Sequence, residues 1–341
     1  MNCHEIYLVG LIIHKSDGGV LTPNVSRKNF MSRINQHQKE YKDKIELTKN
    51  PLGKRPDWLK IKLPVGDNFN DVRNLMRKQK LNTVCEEANC PNIAECWNHR
   101  TATFMILGDI CTRTCGFCNV KSGFPTELDL DEPARVVESI KELNLRHAVI
   151  TSVNRDELND GGAEIFKEVV KLCREEVPEC TVEILIPDFK GEEEAFEIIM
   201  QSPPDILNHN LETVERLYHA VRPQAKYERS LELIKWFKRK GLSRRDGFPK
   251  TKSGLMVGIG EKPDEVIDTM NDLVSYGCDI LTIGQYLQPT KQHLPVDRFV
   301  TPDEFNMYKE EGLKIGFKIV ESSPLVRSSY HADEQARAVF Q

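Results

Sequence analysis

Six cysteines fall within one short stretch of this chain, at Cys85, Cys90, Cys96, Cys111, Cys115 and Cys118, and no other feature narrows its possible folds as much. A chain of 341 residues buries enough apolar surface to be stable without cross-links. Thiols clustered in such a chain point to a metal centre rather than to disulfides, provided the protein is not exported. The apolar run near the start, Ile6–Ile13, is too short to span a bilayer. No lysine or arginine precedes it, no small-residue cleavage site is evident, and the segment lacks the arginine- and serine-rich composition of a transit peptide. The expectation is a cytoplasmic protein with a loosely attached, variable extension over residues 1–45. Cys3, Cys173, Cys180 and Cys278 are scattered and read as structural or incidental.

Lysine and arginine total 47 against 52 acidic residues, a formal charge of −5, which gives no support for a protein that coats nucleic acid. With 39% hydrophobic and 29% charged residues, wholesale disorder and collagen-like repeats are excluded. From about residue 100, short apolar runs alternate with amphipathic stretches. Strands are predicted at Thr103–Leu107, Ala148–Ser152, Val182–Ile186, Ile206–His209, Gly254–Val257, Ile280–Ile283 and Lys318–Val320. Helices are predicted at Glu132–Leu143, Ala163–Glu175, Glu192–Met200, Leu211–Ala220, Glu228–Lys240, Pro263–Tyr276 and Pro302–Ile315. Such alternation predicts an α/β fold with a parallel sheet, and six or seven units predict a complete or partial barrel. Ahead of it, Asp67–Lys80 reads as a helix and residues 54–64 as an edge strand. The charges of that strand (Lys54, Arg55, Lys60, Lys62) suit either a solvated face or a docking surface for an acidic protein substrate.

Cys111-Thr-Arg-Thr-Cys115-Gly-Phe-Cys118 follows the first predicted barrel strand with C-x3-C-x2-C spacing. Three thiolates this close can converge on one iron–sulfur cubane and leave its fourth iron open for chemistry. Zinc, which favours C-x2-C pairs with a fourth Cys or His, fits this spacing poorly. Upstream, Cys85, Cys90 and Cys96 form a C-x4-C-x5-C run, again three thiols without a fourth. Buried core cysteines are the alternative for that set; its position just ahead of the first motif favours a second cluster. An electron carrier would want each cluster closed by four cysteines.

The first motif resembles the signature of radical S-adenosylmethionine enzymes. Together with the second it closely resembles the lipoyl synthase family, from about Arg55 to Ala332. Matching stretches include Thr83-Val-Cys-Glu-Glu-Ala, Asp160-Gly-Gly, Ile186-Pro-Asp-Phe189, Asn208-His-Asn-Leu-Glu-Thr213, Gly284-Gln-Tyr-Leu-Gln-Pro289 and Val326-Arg-Ser-Ser-Tyr330. The resemblance implies a partial (β/α)6 barrel over residues 101–300. It also implies an auxiliary-cluster segment at 46–100 and a C-terminal extension at 301–341. The cofactors implied are S-adenosyl-L-methionine and two 4Fe–4S clusters. Cys111, Cys115 and Cys118 would hold the cluster that cleaves S-adenosylmethionine. Cys85, Cys90, Cys96 and Ser329 would hold a sacrificial one that supplies sulfur to carbons 6 and 8 of a protein-bound octanoyl-lysine. Without the resemblance, the Ser328-Ser329 pair would read as a turn or cap. Gly161 and Gly162, otherwise a plain turn, would lie near the cofactor's amino group, and Asn210 would bind the cofactor. His209 is either cavity-facing or structural; Gln285, Tyr286 and Gln288 are cavity-liners without an assigned role; Trp97 and His99 are packing. The partners implied are octanoylated lipoyl carrier domains, namely 2-oxoacid dehydrogenase acyltransferase subunits and the glycine cleavage carrier protein. A one-electron donor such as ferredoxin or flavodoxin and cluster-assembly proteins are implied too, with no nucleic acid and no membrane.

Overall fold

The computed structural model describes residues 54–61, 67–240 and 249–340. All of these belong to one compact unit, residues 43–341. Residues 1–45 and Lys62 therefore lie outside the described residues.

After helix α1 (Asp67–Lys78) come strand β1 (Asn82–Thr83) and two short helices, α2 (Val84–Glu87) and α3 (Ile93–Asn98). Strand β2 (Thr103–Ile106) opens the main sheet, and β3 (Ile110–Cys111) pairs with β4 (Lys121–Ser122) beside it. Strands and helices then alternate: α4 (Glu132–Leu143), β5 (His147–Ser152), α5 (Ala163–Glu176), β6 (Thr181–Leu185), α6 (Glu193–Met200) and β7 (Ile206–Asn208). They continue through α7 (Tyr218–Val221), α8 (Tyr227–Lys240), β8 (Lys250–Val257), α9 (Pro263–Ser275), β9 (Ile280–Gln285), α10 (Pro302–Ile315), β10 (Ile319–Ser322) and α11 (Ala332–Phe340). The sheet order is β1-β2-β5-β6-β7-β8-β9-β10, parallel throughout except for β1, which runs antiparallel to β2. Six strand–helix units and a seventh parallel strand form this open barrel.

Alternation along β2 shows how the sheet curves. Phe104 and Ile106 are wholly buried on its outer, helix-covered face, whereas Thr103 and Met105 line a cavity. Thr151 of β5, Leu185 of β6, Gly254 of β8 and Thr282 of β9 line the same cavity, which a sheet can achieve only by wrapping around it. The predicted strands and most helices are observed within a few residues. Thr301 caps α10, its hydroxyl accepting the Glu304 N–H at 3.3 Å, with Pro302 in the first turn.

Two local expectations are corrected. Residues 54–61 form no edge strand. Pro56 and Asp57 instead accept N–H bonds from Leu59 and Lys60, which closes a 3-10 turn at Asp57–Leu59 and buries Leu59. Leu211–Ala220 is not one helix. Glu212 adopts φ 71°, its N–H bonds Gly254 O and its carbonyl accepts Met256 N–H, so this stretch continues along β8 before α7 begins. The expected C-terminal extension also starts later than residue 301, because α10 and β10 belong to the barrel; the chain leaves the sheet only after Ser322. It then passes close over β9, where a Cβ on Gly284 would overlap the Val326 carbonyl. Helix α11 follows, packing Ala336, Val339 and Phe340 against Ile206, Ile280 and Ile319, at the N-terminal ends of β7, β9 and β10.

Candidate active site

The barrel encloses a cavity of about 510 Å3 lined by Cys85, Cys90, Cys111, Cys115, Cys118 and Ser329, among others. The chain reaches the first cysteines through a sharp turn. Leu107 (φ 70°) and Gly108 (φ 88°) are both left-handed, and the buried Glu132 carboxylate accepts the Leu107 N–H at 2.6 Å. Cys111 ends β3, and its sulfur accepts the N–H groups of Arg113 (3.4 Å) and Asn154 (3.3 Å). Between the next two cysteines Gly116 is pinned on both sides: it donates to Val221 O (2.9 Å) and accepts from Leu294 N (3.0 Å). A Cβ at Gly116 would lie 2.8 Å from Leu294 Cγ, so a side chain there would push Leu294 aside. His293 meets the Cys118 carbonyl at 3.0 Å. Behind the loop, Arg113 forks onto Asp156 (2.7 and 2.8 Å) and reaches the buried Asp188 at 2.6 Å, charge-assisted contacts that anchor the loop to both carboxylates.

Burial pushes the Cys115 thiol up to about 11 and Cys118 to about 12, with neighbouring thiolates adding to both and Arg222 opposing the shift at Cys115. Bare thiols here hold their protons at neutral pH; a soft cationic centre is what would keep them as thiolates. Among the described residues no three His, Cys, Asp or Glu side chains converge on a point where one metal ion could sit. A cubane spreads its ligands over separate irons, and three separate thiols around one cavity suit it.

The second set is built by α2 and α3. The Thr83 hydroxyl accepts the Glu86 N–H at 3.2 Å and starts α2, which carries Cys85. Cys90 N–H returns to Cys85 O (3.1 Å), and Cys96 lies in α3, where the Thr101 hydroxyl donates to its carbonyl at 2.9 Å. Burial pushes Cys85 and Cys96 up to about 12 and raises Cys90 as well. Cys85 feels Cys90, and Cys96 feels both, so these three thiols also face one another. The C-terminal segment is stitched to this layer at three places. Asn92 donates to Leu325 O (2.7 Å), Tyr330 donates to Glu95 (3.0 Å), and Thr103 donates to Ser329 Oγ (2.8 Å).

Other expected residues fall as follows. Gly161 (φ 61°) and Gly162 (φ 92°) sit at the start of α5, outside the cavity lining. Side chains there would collide with Phe189 and Leu107, so close packing and left-handed backbone account for both glycines. Asn210 lines the cavity; its amide donates to Glu212 (3.1 Å), while its buried Oδ1 has no partner within the protein. Gly254 leaves room beside that oxygen, since a Cβ would lie 2.7 Å from it. An unpaired buried acceptor next to a deliberate gap suits a polar ligand group. His209 borders the cavity, yet both ring nitrogens are taken up within the protein: Nδ1 meets Ile186 O and Nε2 meets Ser230 Oγ, each at 2.9 Å. Burial and Arg222 lower its pKa to about 4, so the ring is neutral. Gln285 spends its amide on Val257, Tyr286 and Arg298 carbonyls and on Val300 N–H; Tyr286 donates to Leu294 O and Gln288 to His293 O. Trp97 is wholly buried 5.0 Å from Phe69, as packing requires. Sequence reasoning missed Arg222, which donates to Asn210 O (2.6 Å) and Tyr218 Oη (2.8 Å) beside Cys115, because no motif marks it.

An open parallel barrel with three cysteines beyond the C-terminal end of its first strand is the architecture of radical S-adenosylmethionine enzymes, whose superfamily model matches residues 105–273. Streptococcus suis SuiB bound to S-adenosylmethionine shares the fold, with a TM-score of 0.51 at 13% identity over 87% of this chain and 62% of its own. A model of the N-terminal domain of lipoyl synthase matches residues 23–90, beginning inside the stretch that motif reading left unassigned. Lipoyl synthase of Rubrobacter xylanophilus is 58% identical over 82% of this chain and 86% of its own length. That of Koribacter versatilis is 51% identical over 87% and 96%, and the mitochondrial enzyme of Nematostella vectensis 51% over 83% and 96%. This chain belongs to the lipoyl synthase family. Membership carries with it S-adenosylmethionine and a 4Fe–4S cluster. Among the described residues no helix is long and apolar enough to cross a membrane.

Proposed function

We propose that this enzyme, acting in the cytoplasm, inserts sulfur at carbons 6 and 8 of an octanoyl chain carried on a lysine of a lipoyl carrier domain. Cys111, Cys115 and Cys118 hold the cluster at which S-adenosylmethionine is cleaved. Cys85, Cys90, Cys96 and Ser329 hold a second 4Fe–4S cluster that gives up sulfur. The observation that carries this reading is that Cys85 and Cys90 of one set and all three cysteines of the other line one cavity with Ser329 on its wall, while Cys96 lies outside that lining. When bound, the first cluster with S-adenosylmethionine supplies the radical that removes hydrogen from carbon.

The chain's own residues do the rest. Met105, Val153, Leu255, Met256 and Val326 give the cavity an apolar wall suited to an alkyl chain, which excludes water from a reactive intermediate. Asn210 Oδ1 is left to accept a hydrogen bond from the cofactor. Arg222 sets a positive charge beside Cys115 and fixes the Asn210 carbonyl. Octanoylated domains of 2-oxoacid dehydrogenase acyltransferases and of the glycine cleavage system are the carriers, and a ferredoxin or flavodoxin is the one-electron donor. Cluster-assembly proteins restore what turnover consumes.

The test is anaerobic turnover of iron-loaded protein with S-adenosylmethionine, a strong reductant and an octanoyllysine peptide, read by mass spectrometry. A peptide gaining two sulfur atoms supports the proposal. Cofactor cleavage without any sulfur in the peptide would overturn the sulfur-donor role of the second set.

A further inference from the structure

Thr103 sits where three parts of the site meet. It is the first residue of β2, in register with Val149 of β5, so its backbone is fixed by the sheet. It is buried, 6% exposed, and lines the cavity. Its hydroxyl donates to Ser329 Oγ at 2.8 Å across 226 residues of sequence. Its backbone N–H also acts against the burial-driven rise of the Cys85 thiol's pKa. One residue of the barrel thus contacts one group assigned to the second cluster and lies near another, and neither relation can be read from the cysteine motifs.

Ser329 needs such a partner. It lies in an irregular turn between β10 and α11, closed by Tyr330 N–H on Arg327 O at 2.9 Å, and a serine rotates freely unless something holds its oxygen. A hydroxyl is a weak ligand in a sulfur-rich site, so its occupancy depends on presentation more than a thiolate's does. A donor on one lone pair of Ser329 Oγ leaves the other lone pair and the proton to face the cavity.

We propose that Thr103 is the positioning residue for the second cluster's serine ligand: its hydroxyl holds Ser329 Oγ aimed at the cluster and keeps it there when the iron–oxygen bond opens. This rests on the assignment of Ser329 as a ligand. No redox step is involved; Thr103 acts only through a hydrogen bond.

Thr103→Val tests it. The change is nearly isosteric, suits a β-strand and leaves the backbone unchanged, so only the hydroxyl is lost. The readout is the rate at which iron passes from anaerobically loaded protein to a chelator, without S-adenosylmethionine or substrate. Total iron is counted before and after, alongside Thr103→Ser and Ser329→Ala. Loss of an outer-shell partner should speed release of one iron per chain by about tenfold or more. Thr103→Ser should restore the wild-type rate, and Ser329→Ala should be at least as fast as Thr103→Val. If Ser329→Ala releases iron quickly but Thr103→Val stays within about twofold of wild type, the role of Thr103 is overturned and Ser329 stands. If Thr103→Ser fails to rescue, the hydroxyl is likewise not the cause. If Ser329→Ala itself releases iron at the wild-type rate, the serine assignment fails and the proposal fails with it.

Discussion

Ser329 differs from the other proposed ligands in element and in strength of binding: oxygen among sulfurs, on a turn rather than beside a helix. Ser329→Cys should therefore yield a second cluster that assembles fully yet resists losing iron, because thiolate binds iron more firmly than a hydroxyl oxygen. The expected result is normal 5′-deoxyadenosine in a single anaerobic turnover with little doubly thiolated product, both read by mass spectrometry. Wild-type yields of that product would remove Ser329 from the mechanism. Cys115→Ala should do the opposite. With two protein ligands the first cluster is lost, about half the iron goes with it, and 5′-deoxyadenosine formation ceases. At this scale much of the site was legible, since thiols at fixed spacing announce themselves. Arg222, Glu212 and Asn210's unpaired oxygen were not, because each acquires its role only from neighbours distant in sequence.

Among the elements, β6 and β8 hide an ion pair inside the barrel. Lys252 Nζ lies 3.0 Å from Glu183, both side chains are fully buried, and Asn208 donates to the same carboxylate at 2.8 Å, with His147 3.6 Å away. Burial alone would raise the Glu183 pKa, but Lys252, His147 and Asn208 overcome it and hold the carboxyl at about 2. A depressed folded-state value contributes stability that is complete above the ordinary carboxylate value of 4.5 and is lost as pH falls through about 2. Lys252→Met leaves a buried charge unpaired and should cost about 3–5 kcal/mol at pH 7. Urea midpoints of wild type and variant, compared from pH 7 down to pH 3, should converge as the pH drops below 4.5. A gap that stays constant would mean the pair does not carry this charge state. Strand positions were legible here because parallel strands buried on both faces read as apolar runs. The break at Glu212 was not, since Leu211–Ala220 has helical periodicity and only its hydrogen bonds to β8 override that pattern.

For the whole molecule, the cysteine sets are separable although they share a cavity. The raised pKa values of Cys85, Cys96, Cys115 and Cys118 trace to burial first, and the thiols that add to each belong to its own set. Cys90→Ala should consequently abolish sulfur transfer while S-adenosylmethionine cleavage persists, measured as 5′-deoxyadenosine against thiolated peptide. Lipoyl product at the wild-type rate would contradict the assignment. The open barrel could be read from strand–helix alternation, but its C-terminal closure could not. Asn92–Leu325, Glu95–Tyr330 and Thr103–Ser329 join the first and last thirds of the described chain through single polar contacts that no periodicity reports.

That stitching has a consequence for how the protein is made. The ribosome delivers all six motif cysteines early, whereas Ser329 emerges 226 residues after Thr103, roughly 10 to 45 s later at ordinary elongation rates. Neither cysteine set is complete in its surroundings when its thiols leave the ribosome: Gly116 waits for Val221 and then Leu294, and Thr103 waits longest, for Ser329. Both halves of the proposed site are therefore finished by the last tenth or so of synthesis rather than by the stretch that carries the thiols.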